Sequence, residues 1–430
     1  MLRTSLLIML AAVGVVSCKA AGENTEYGSG GSGGSGAVFE AGLDASVDAP
    51  SDAGLFQDVS PDGPQSNGCP GLVQSFIWIA NTAEGTLSKV CTNNGVEVAR
   101  YYTSPQMSAG DPSRTSVNTH GDMVVTNRDP TSGPSSVTKF AGDITDCIDR
   151  NHNGYIETSY GPSDVKPWGE DECMLWNTPL GGGGAIGARA TAWDGAESPE
   201  TGVGGHVFIG AMMNKTIYKL DGDTGAILAQ AVTAIGHYGG AVDGKGNFWT
   251  VAMGCTIGLC QIERTSLDDL NDHETHSIQC GYGISIDAKG RVWTAGQNMM
   301  GGGGCVARFD PATNEGVHVI TAAGDFNRGV AVGAQLSAGY IWAASTNGDL
   351  IQVDPELMTV VKRQHVGSSD MVGVAIDHEG YVWTVSQGSN SAQKVHPVSW
   401  DVTTVTIGSG PYTYSDMTGM QLRGVLPPPK

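Results

Sequence analysis

The sequence is poor in cations and in charge overall. Only 23 of its 430 residues are Lys or Arg, against 44 Asp or Glu, which gives a formal net charge of −21. A chain so short of cations cannot neutralise a nucleic-acid backbone, which excludes nucleic acid as a partner. The glycine runs 181–184 and 301–304 lack the Lys-Ser/Thr pair of a phosphate-binding loop, so we predict no nucleotide or other organic cofactor.

Apolar runs long enough to cross a membrane are also lacking. The run 6–16 is too short for a spanning helix, and its flanks are those of a secretory signal peptide over residues 1–18. Its end, Val-Val-Ser-Cys, resembles the bacterial lipobox, which implies that Cys18 becomes a lipidated first residue. The alternative is an ordinary cleaved signal with Cys18 unmodified. Lys19 stands where an inner-membrane retention signal would have Asp, so we expect display on the outer membrane of a bacterial cell envelope.

Residues 19–68 have few aromatic side chains. They contain a Gly-Ser run at 28–36, followed by a stretch of Ala, Asp, Pro and Ser. A segment of this composition cannot bury enough apolar surface to offset its conformational entropy. We predict a disordered tether that holds the rest of the chain clear of the envelope surface.

Glycine is abundant, with 63 residues, and much of it falls in a repeated phrase. The phrase is a Gly-containing strand that ends near Asp, a turn with Gly, and an aromatic strand that ends in Trp. The clear copies are 238–249, 282–293, 328–342 and 372–383. Their Trp residues are 44, 49 and 41 residues apart, a period typical of four-stranded β-propeller blades.

The two ends of the repeated region complement each other. Weaker copies occur at 114–126 and 189–209, and the first segment, 75–80, has an aromatic strand with no inner strand before it. The last segment, 414–422, supplies an inner strand with nothing after it. We therefore predict an all-β fold, a seven-bladed β-propeller over residues 69–425, closed because both ends share one blade. An open solenoid is the alternative.

This phrase resembles that of the streptogramin lyase (virginiamycin B lyase) type of propeller and of NHL-repeat propellers. The resemblance implies a general-base His directly before the Gly and a magnesium-binding Glu three residues after the Trp. The residues at the first position are Tyr238, Tyr282, Arg328 and Val372, and those at the second are Ala252, Gly296, Ser345 and Ser386. Neither feature matches, and His237 lies one place off, which reverses its direction in a strand. We therefore assign no catalytic residue.

One residue opens each inner strand, and the inner strands of a propeller surround its central channel. In chain order these residues are Arg114, Arg189, Tyr238, Tyr282, Arg328, Val372 and Tyr414. Guanidinium groups suit a carboxylate or phosphate, and phenol faces suit a sugar or an aromatic ring. We predict ligand binding by the Arg and Tyr members of this set. The alternative is that acids of the propeller, such as Asp370 or Asp416, pair with the Arg side chains and the channel is merely plugged.

A possible metal loop lies in an insertion at about 144–186. Its oxygen ligands at alternate positions and its central Gly resemble the opening of an EF-hand or dockerin-type calcium loop. The predicted calcium ligands are Asp149, Asn151, Asn153, Tyr155 and Glu157. The twelfth position departs from the pattern because Tyr160 replaces the bidentate acid, which predicts weak affinity unless Asp146 or Asp164 completes the shell. The alternative is an Asn-Gly turn without metal.

Eight Cys remain besides Cys18, an even number in a chain with an export signal. Eight Cys allow 105 connectivities, and propeller geometry favours local pairs. The predicted pairs are Cys69 with Cys91, Cys147 with Cys173, Cys255 with Cys260, and Cys280 with Cys305.

Taken together, the sequence predicts a monomeric, lipid-anchored propeller that recognises a ligand or a partner protein. The ligand would be anionic or carbohydrate-like, the partner an envelope protein, and the membrane contact would run through the lipid. The alternatives are a lyase-like or polysaccharide-active enzyme and a scaffold that uses only the propeller rims.

Overall fold

The computed structural model describes residues 69–70, 75–128, 133–181, 186–256, 259–298 and 302–426. The predicted signal peptide, Cys18 and the tether lie outside these residues. Within them, antiparallel sheets follow one another along the chain, and the inner strands of successive sheets contact each other around a ring. The predicted seven-bladed β-propeller is confirmed.

The first four blades run from Phe76 to Ile278. Blade one has β1 Phe76–Asn81, β2 Thr86–Cys91 and β3 Glu97–Tyr102. Blade two has β4 Pro112–Val117, β5 Met123–Asn127, β6 Ser136–Phe140 and β7 Met174–Pro179. Blade three has β8 Ala188–Trp193, β9 His206–Ala211, β10 Thr216–Asp221 and β11 Ile227–Val232. Blade four has β12 His237–Val242, β13 Asn247–Thr256, β14 Leu259–Ser266 and β15 His273–Ile278.

The last three blades follow the same pattern. Blade five has β16 Gly283–Ile286, β17 Val292–Asn298, β18 Gly303–Asp310 and β19 Glu315–Ala323. Blade six has β20 Asn327–Val332, β21 Ile341–Ser345, β22 Asp349–Asp354 and β23 Thr359–His365. Blade seven has β24 Met371–Ile376, β25 Val382–Ser386, β26 Ser391–Val395 and β27 Val402–Thr406. A single α-helix among the described residues, α1 Met420–Val425, ends the fold.

The tail closes the ring by filling the inner position of blade one. The Tyr412 N–H donates to the carbonyl of Ala80, and the Trp78 N–H donates to the carbonyl of Met417, each at 2.9 Å. The Oγ1 atoms of Thr413 and Thr115 lie 3.2 Å apart, so the tail also contacts β4 of the next blade. Shared closure is therefore confirmed. The tail was predicted to stay extended to residue 422, and this was wrong because α1 begins at Met420.

The repeated phrase has a physical explanation in blades four, five and seven. Asp287 follows the inner strand β16, and its carboxylate accepts hydrogen bonds from the backbone N–H groups of Lys289 and Arg291, each at 3.0 Å. Its second oxygen accepts from the buried indole Nε1 of Trp293 at 2.9 Å. Asp243 with Trp249 and Asp377 with Trp383 repeat this bond at the same distance. In these three blades the Asp therefore fixes the turn and anchors the buried Trp.

The Gly of the phrase allows neighbouring inner strands to approach each other. A Cβ atom on Gly283 would overlap the carbonyl oxygen of Arg328, and one on Gly373 would overlap that of Thr413. Only glycine leaves room for this contact, so the narrow ring depends on it.

All four predicted disulfides form, and they join Cys69 to Cys91, Cys147 to Cys173, Cys255 to Cys260, and Cys280 to Cys305. The insertion is shorter than predicted, because β7 Met174–Pro179 is the outer strand of blade two and the extra residues lie between Phe140 and Met174. In the part of the chain that the structure describes, no helix has the length and apolarity needed to cross a bilayer.

Candidate functional site

The predicted ring residues do meet in the central channel. Arg114 lies on β4, Arg189 on β8, Tyr238 on β12 and Arg328 on β20, while Tyr282 directly precedes β16. Val372 and Tyr414 are buried in the same apolar cluster as Tyr238 and Tyr282. The opposite end of the channel is covered by α1, which contacts β12, β16 and β24.

Four phenol groups, not three, occupy the channel; we call Tyr238, Tyr282, Tyr412 and Tyr414 the phenol cluster. The Tyr238 oxygen lies 2.6 Å from those of Tyr282 and Tyr412 and 3.1 Å from that of Tyr414. The Tyr282 oxygen lies 2.8 Å from those of Tyr412 and Tyr414. The four hydroxyls therefore bind one another.

Four guanidinium groups surround the phenol cluster; we call Arg114, Arg128, Arg189 and Arg328 the channel arginines. The Arg114 Cζ lies 3.6 Å from the Tyr414 ring centroid and 4.7 Å from that of Tyr238. The Arg189 Cζ lies 4.5 Å from the Tyr238 centroid. Such contacts are favourable cation–π interactions. They also occupy ring faces that the sequence left available for a sugar.

The channel arginines differ in their partners. Arg328 Nη2 lies 3.2 Å from Asp370 Oδ1, and Arg128 pairs with Asp111. Arg114 and Arg189 have no carboxylate partner among the described residues, and two nitrogens of each are buried without a hydrogen bond there. Pairing with Asp370 is thus correct for Arg328. Asp416 instead accepts backbone N–H groups near α1, including that of Leu422 at 3.1 Å.

The channel therefore holds more positive than negative charge, with four guanidiniums and two carboxylates among the described groups. Burial and the neighbouring charge of Arg189 lower the pKa of Arg128 even though Asp111 raises it. Arg114 is completely buried. A buried guanidinium without an anionic partner lowers the free energy of unfolding by several kcal/mol, about as much as breaking a buried ion pair does.

Two residues of this site were missed from the sequence. Tyr412 lies two positions before Tyr414, so an extended tail places both on one side, and this spacing was a usable signal. Arg128 follows β5 Met123–Asn127 rather than opening an inner strand, so nothing in the repeat pointed to it.

His237 lies in a closed polar pocket away from the phenol cluster. Its Nε2 is 2.9 Å from Thr233 Oγ1, and its Nδ1 is 2.9 Å from Thr250 Oγ1. Burial lowers the pKa of His237 to about 3, so the ring stays neutral. Both ring nitrogens are occupied, so this residue serves packing in the described structure.

The predicted calcium loop curls around Asp149. Its carboxylate accepts from the N–H groups of Asn153 at 3.2 Å and Gly154 at 2.9 Å. The side-chain amides of Asn151 and Asn153 lie 3.1 Å and 2.5 Å from the carboxylate of Glu157. The amide N–H groups at the third and fifth positions thus donate to the carboxylate at the ninth, and the two amide oxygens accept from the backbone N–H groups of Asn153 and Tyr155.

The acids suggested to complete this loop are engaged elsewhere. Asp146 lies 2.9 Å from His120 Nε2, and Asp164 pairs with Lys166 at 2.8 Å. Glu172, which the sequence did not single out, accepts from the N–H groups of Arg150 at 2.7 Å and Glu157 at 2.9 Å. These two hydrogen bonds connect Glu172 to the backbone at both ends of the loop.

No protein-family model matches this sequence, and no curated protein matches it. Among solved structures, virginiamycin B lyase from Staphylococcus aureus is similar at 11% identity and a TM-score of 0.49, over 72% of this chain and 89% of that one. Kuenenia stuttgartiensis hydrazine synthase is similar at 12% identity and a TM-score of 0.49, over 71% and 89%. A streptogramin B lyase is similar at 16% identity and a TM-score of 0.42, over 52% and 69%. The propeller fold itself is established by the blade topology.

Proposed function

We propose that the protein is a recognition module that binds a small anionic ligand at the open mouth of its central channel. The observation that carries this proposal is that Arg114 and Arg189 lack a carboxylate partner among the described residues, while two nitrogens of each are buried without a hydrogen bond there. On a chain with a net charge of −21, such a local excess of positive charge attracts anions selectively to one place.

The chemistry of the mouth favours a carboxylate, sulfate or phosphate group over a neutral sugar. Arg189 and Arg328 are partly exposed and present guanidinium N–H groups, which bind such anions with charge-assisted hydrogen bonds. The phenol rings offer less, because the channel arginines cover faces of Tyr238 and Tyr414. A carbohydrate ligand would therefore be recognised through an acidic substituent.

The test is a thermal-shift titration with sodium acetate, sulfate, phosphate and glucuronate, with sodium chloride at matched ionic strength as the reference. A ligand that binds only the folded state stabilises it by about 2.7 kcal/mol at 100 times its Kd. We expect at least one anion to raise the melting temperature saturably in the wild type. The double variant Arg189→Ala/Arg328→Ala should lose this response.

The matched control is Arg264→Ala, which removes a guanidinium paired with Asp272 on a blade surface. It should keep the response. The proposal fails if no anion exceeds chloride, or if the double variant responds as the wild type does. Lyase chemistry has no support from the described geometry, and metal-dependent turnover of a lactone or uronate would be needed to establish it.

We also propose that the loop at Asp149–Glu157 binds calcium, which would fix the insertion to blade two. Asp149, Asn151, Asn153, Glu157 and the Tyr155 carbonyl would hold the ion. Weak affinity, with a Kd of roughly 10⁻⁴ to 10⁻³ M, is typical of extracellular sites. Calcium, but not magnesium, should raise the melting temperature of the wild type and leave Asn153→Ala unchanged. Equal responses of both proteins would contradict the site.

The remaining proposals rest on the sequence alone. Lipid attachment at Cys18 would anchor the protein in the outer membrane, and the tether would present the propeller as a monomer to its ligand or to an envelope partner. Cys18→Ser should abolish incorporation of labelled fatty acid and move the protein to the soluble fraction. Incorporation that survives this change would contradict the anchor.

A further inference from the structure

The phenol cluster concentrates four hydroxyl groups beside the channel arginines. Four hydroxyls make mutual contacts of 2.6 to 3.1 Å. Tyr238 and Tyr414 donate to the oxygen of Tyr282 at 2.6 and 2.8 Å. The oxygen of Tyr412 lies 2.6 Å from that of Tyr238 and 2.8 Å from that of Tyr282, within hydrogen-bond distance of both. The 2.6 Å distance is in the range of a hydroxyl that donates to an anionic oxygen, and 2.8 Å is the ordinary distance between two hydroxyls.

The charged groups around Tyr412 carry an excess of positive charge. The ionisable groups that face it lie on or directly beside β4, β5, β8, β12, β16, β20 and β24, and in the tail. They are Arg114, Arg128 with its partner Asp111, Arg189, Arg328 with its partner Asp370, Tyr238, Tyr282 and Tyr414. The only anions in this set already pair with Arg128 and Arg328. Arg114 and Arg189 are left without a negative charge.

We propose that Tyr412 is a phenolate in the ligand-free protein at neutral pH, and that it is the internal counter-charge of Arg114 and Arg189. A guanidinium does not give up its proton in proteins, whereas a phenol can. Loss of one proton from the phenol cluster therefore reduces the excess of two positive charges in the channel to one, without moving any side chain.

The electrostatics assign the charge to one phenol. Burial alone raises the pKa of Tyr412, but Arg114, Arg189 and the hydrogen bonds from Tyr238 and Tyr282 outweigh it and lower the pKa to about 7. Burial raises the pKa of Tyr414 and of Tyr282 well above the usual value. When neighbouring groups have pKa values shifted in opposite directions, the group with the lowered pKa loses its proton first and the groups with the raised pKa stay neutral.

A consequence for recognition rests on the proposed anion site. A bound anion supplies the negative charge that Arg189 requires, so Tyr412 takes up a proton when the anion binds. Affinity then falls as the pH rises above the point at which Tyr412 ionises, by up to about tenfold per pH unit. The phenolate would make the mouth selective, because an anion binds there only if it replaces the negative charge that Tyr412 loses on protonation.

The first experiment follows the near-ultraviolet absorbance of tyrosinate in the full-length, ligand-free protein. We expect one of the 12 Tyr residues to ionise between about pH 6 and about pH 8, well below the usual pKa of about 10. Tyr412→Phe should abolish this step, and the matched control Tyr340→Phe should keep it. Arg189→Gln should move the step upward by about one pH unit or more.

The wild type and Arg189→Gln keep the test decisive even if Tyr412→Phe does not fold. Absence of any Tyr ionisation below about pH 9 would overturn the proposal, as would a step that persists in folded Tyr412→Phe. The second experiment measures proton uptake on sulfate binding by calorimetry in two buffers of different ionisation enthalpy. Sulfate does not titrate in this range, so uptake reports on the protein.

The two proposals fail in different ways. If the phenol ionises near neutrality but sulfate does not bind, anion recognition fails and the phenolate stands. If sulfate binds with no proton uptake and no Tyr ionises early, the phenolate fails and anion recognition stands.

Discussion

Replacing Asp377 by Ala should reveal how much stability the repeated Asp–Trp bond contributes. Asp377 is fully buried, and its Oδ1 accepts from the backbone N–H groups of Glu379 at 3.0 Å and Tyr381 at 2.9 Å. Its Oδ2 accepts from Trp383 Nε1 at 2.9 Å. The change removes these three bonds and leaves a buried indole N–H without an acceptor.

The expected loss follows from those bonds. The unpaired indole N–H should cost about 1–3 kcal/mol. The two lost backbone hydrogen bonds to the carboxylate add to this, so Asp377→Ala should lower the free energy of unfolding by about 3–5 kcal/mol in all. Urea denaturation monitored by Trp fluorescence measures it. Asp354→Ala is the matched control, because Asp354 accepts two turn N–H groups at 2.8 Å without a Trp partner and is only half-buried. It should cost about 1 kcal/mol.

A double-mutant cycle isolates the bond itself. Asp377→Ala combined with Trp383→Phe should show a coupling energy of about 1–3 kcal/mol, because each change removes the same interaction. Equal losses for Asp377→Ala and Asp354→Ala, or a coupling energy near zero, would refute the reasoning that this bond anchors the blade.

Two further predictions concern the insertion in blade two. Burial raises the pKa of Asp171 from its ordinary 3.8 to about 6, so the folded state binds this proton more tightly than the unfolded state does. The free energy of unfolding should therefore fall by up to about 3 kcal/mol as the pH rises from about 4 to about 6. Thermal denaturation should show this fall in the wild type but not in Asp171→Asn. Replacing both Cys147 and Cys173 by Ser removes a cross-link across 26 residues, and should lower the free energy of unfolding by about 3 kcal/mol; an unchanged urea midpoint would contradict it.

The repeat made most of the fold predictable. Trp residues at a regular spacing and Gly residues in the inner strands identify the blades. The Trp fills the interior of a blade, and the Gly allows the inner strands of neighbouring blades to approach each other. Disulfides were predictable because blade geometry leaves few partners near each Cys. Ring closure was predictable from the unpaired aromatic strand β1 at one end of the chain and its missing inner strand at the other.

The site was less predictable because its key properties depend on residues from several blades. Arg114, Arg189 and Tyr238 were identified by position, but position does not show that one guanidinium packs on a phenol while another pairs with Asp370. The helical turn at Met420 follows from Asp416, whose carboxylate accepts the N–H groups of Thr418, Gly419 and Leu422. A local cap of this kind overrides the alternation that suggested a longer strand.

Closure of the ring and formation of the site are one event in this molecule. Tyr412 and Tyr414 belong to the tail that pairs with β1, and without them Arg114 would lose the ring 3.6 Å from its Cζ. The tail therefore stabilises the propeller in two ways, by completing the blade and by supplying groups that offset buried positive charge. A variant that weakens tail pairing should lose anion recognition before the other six blades lose their structure, because each of those blades forms its sheet from its own four strands.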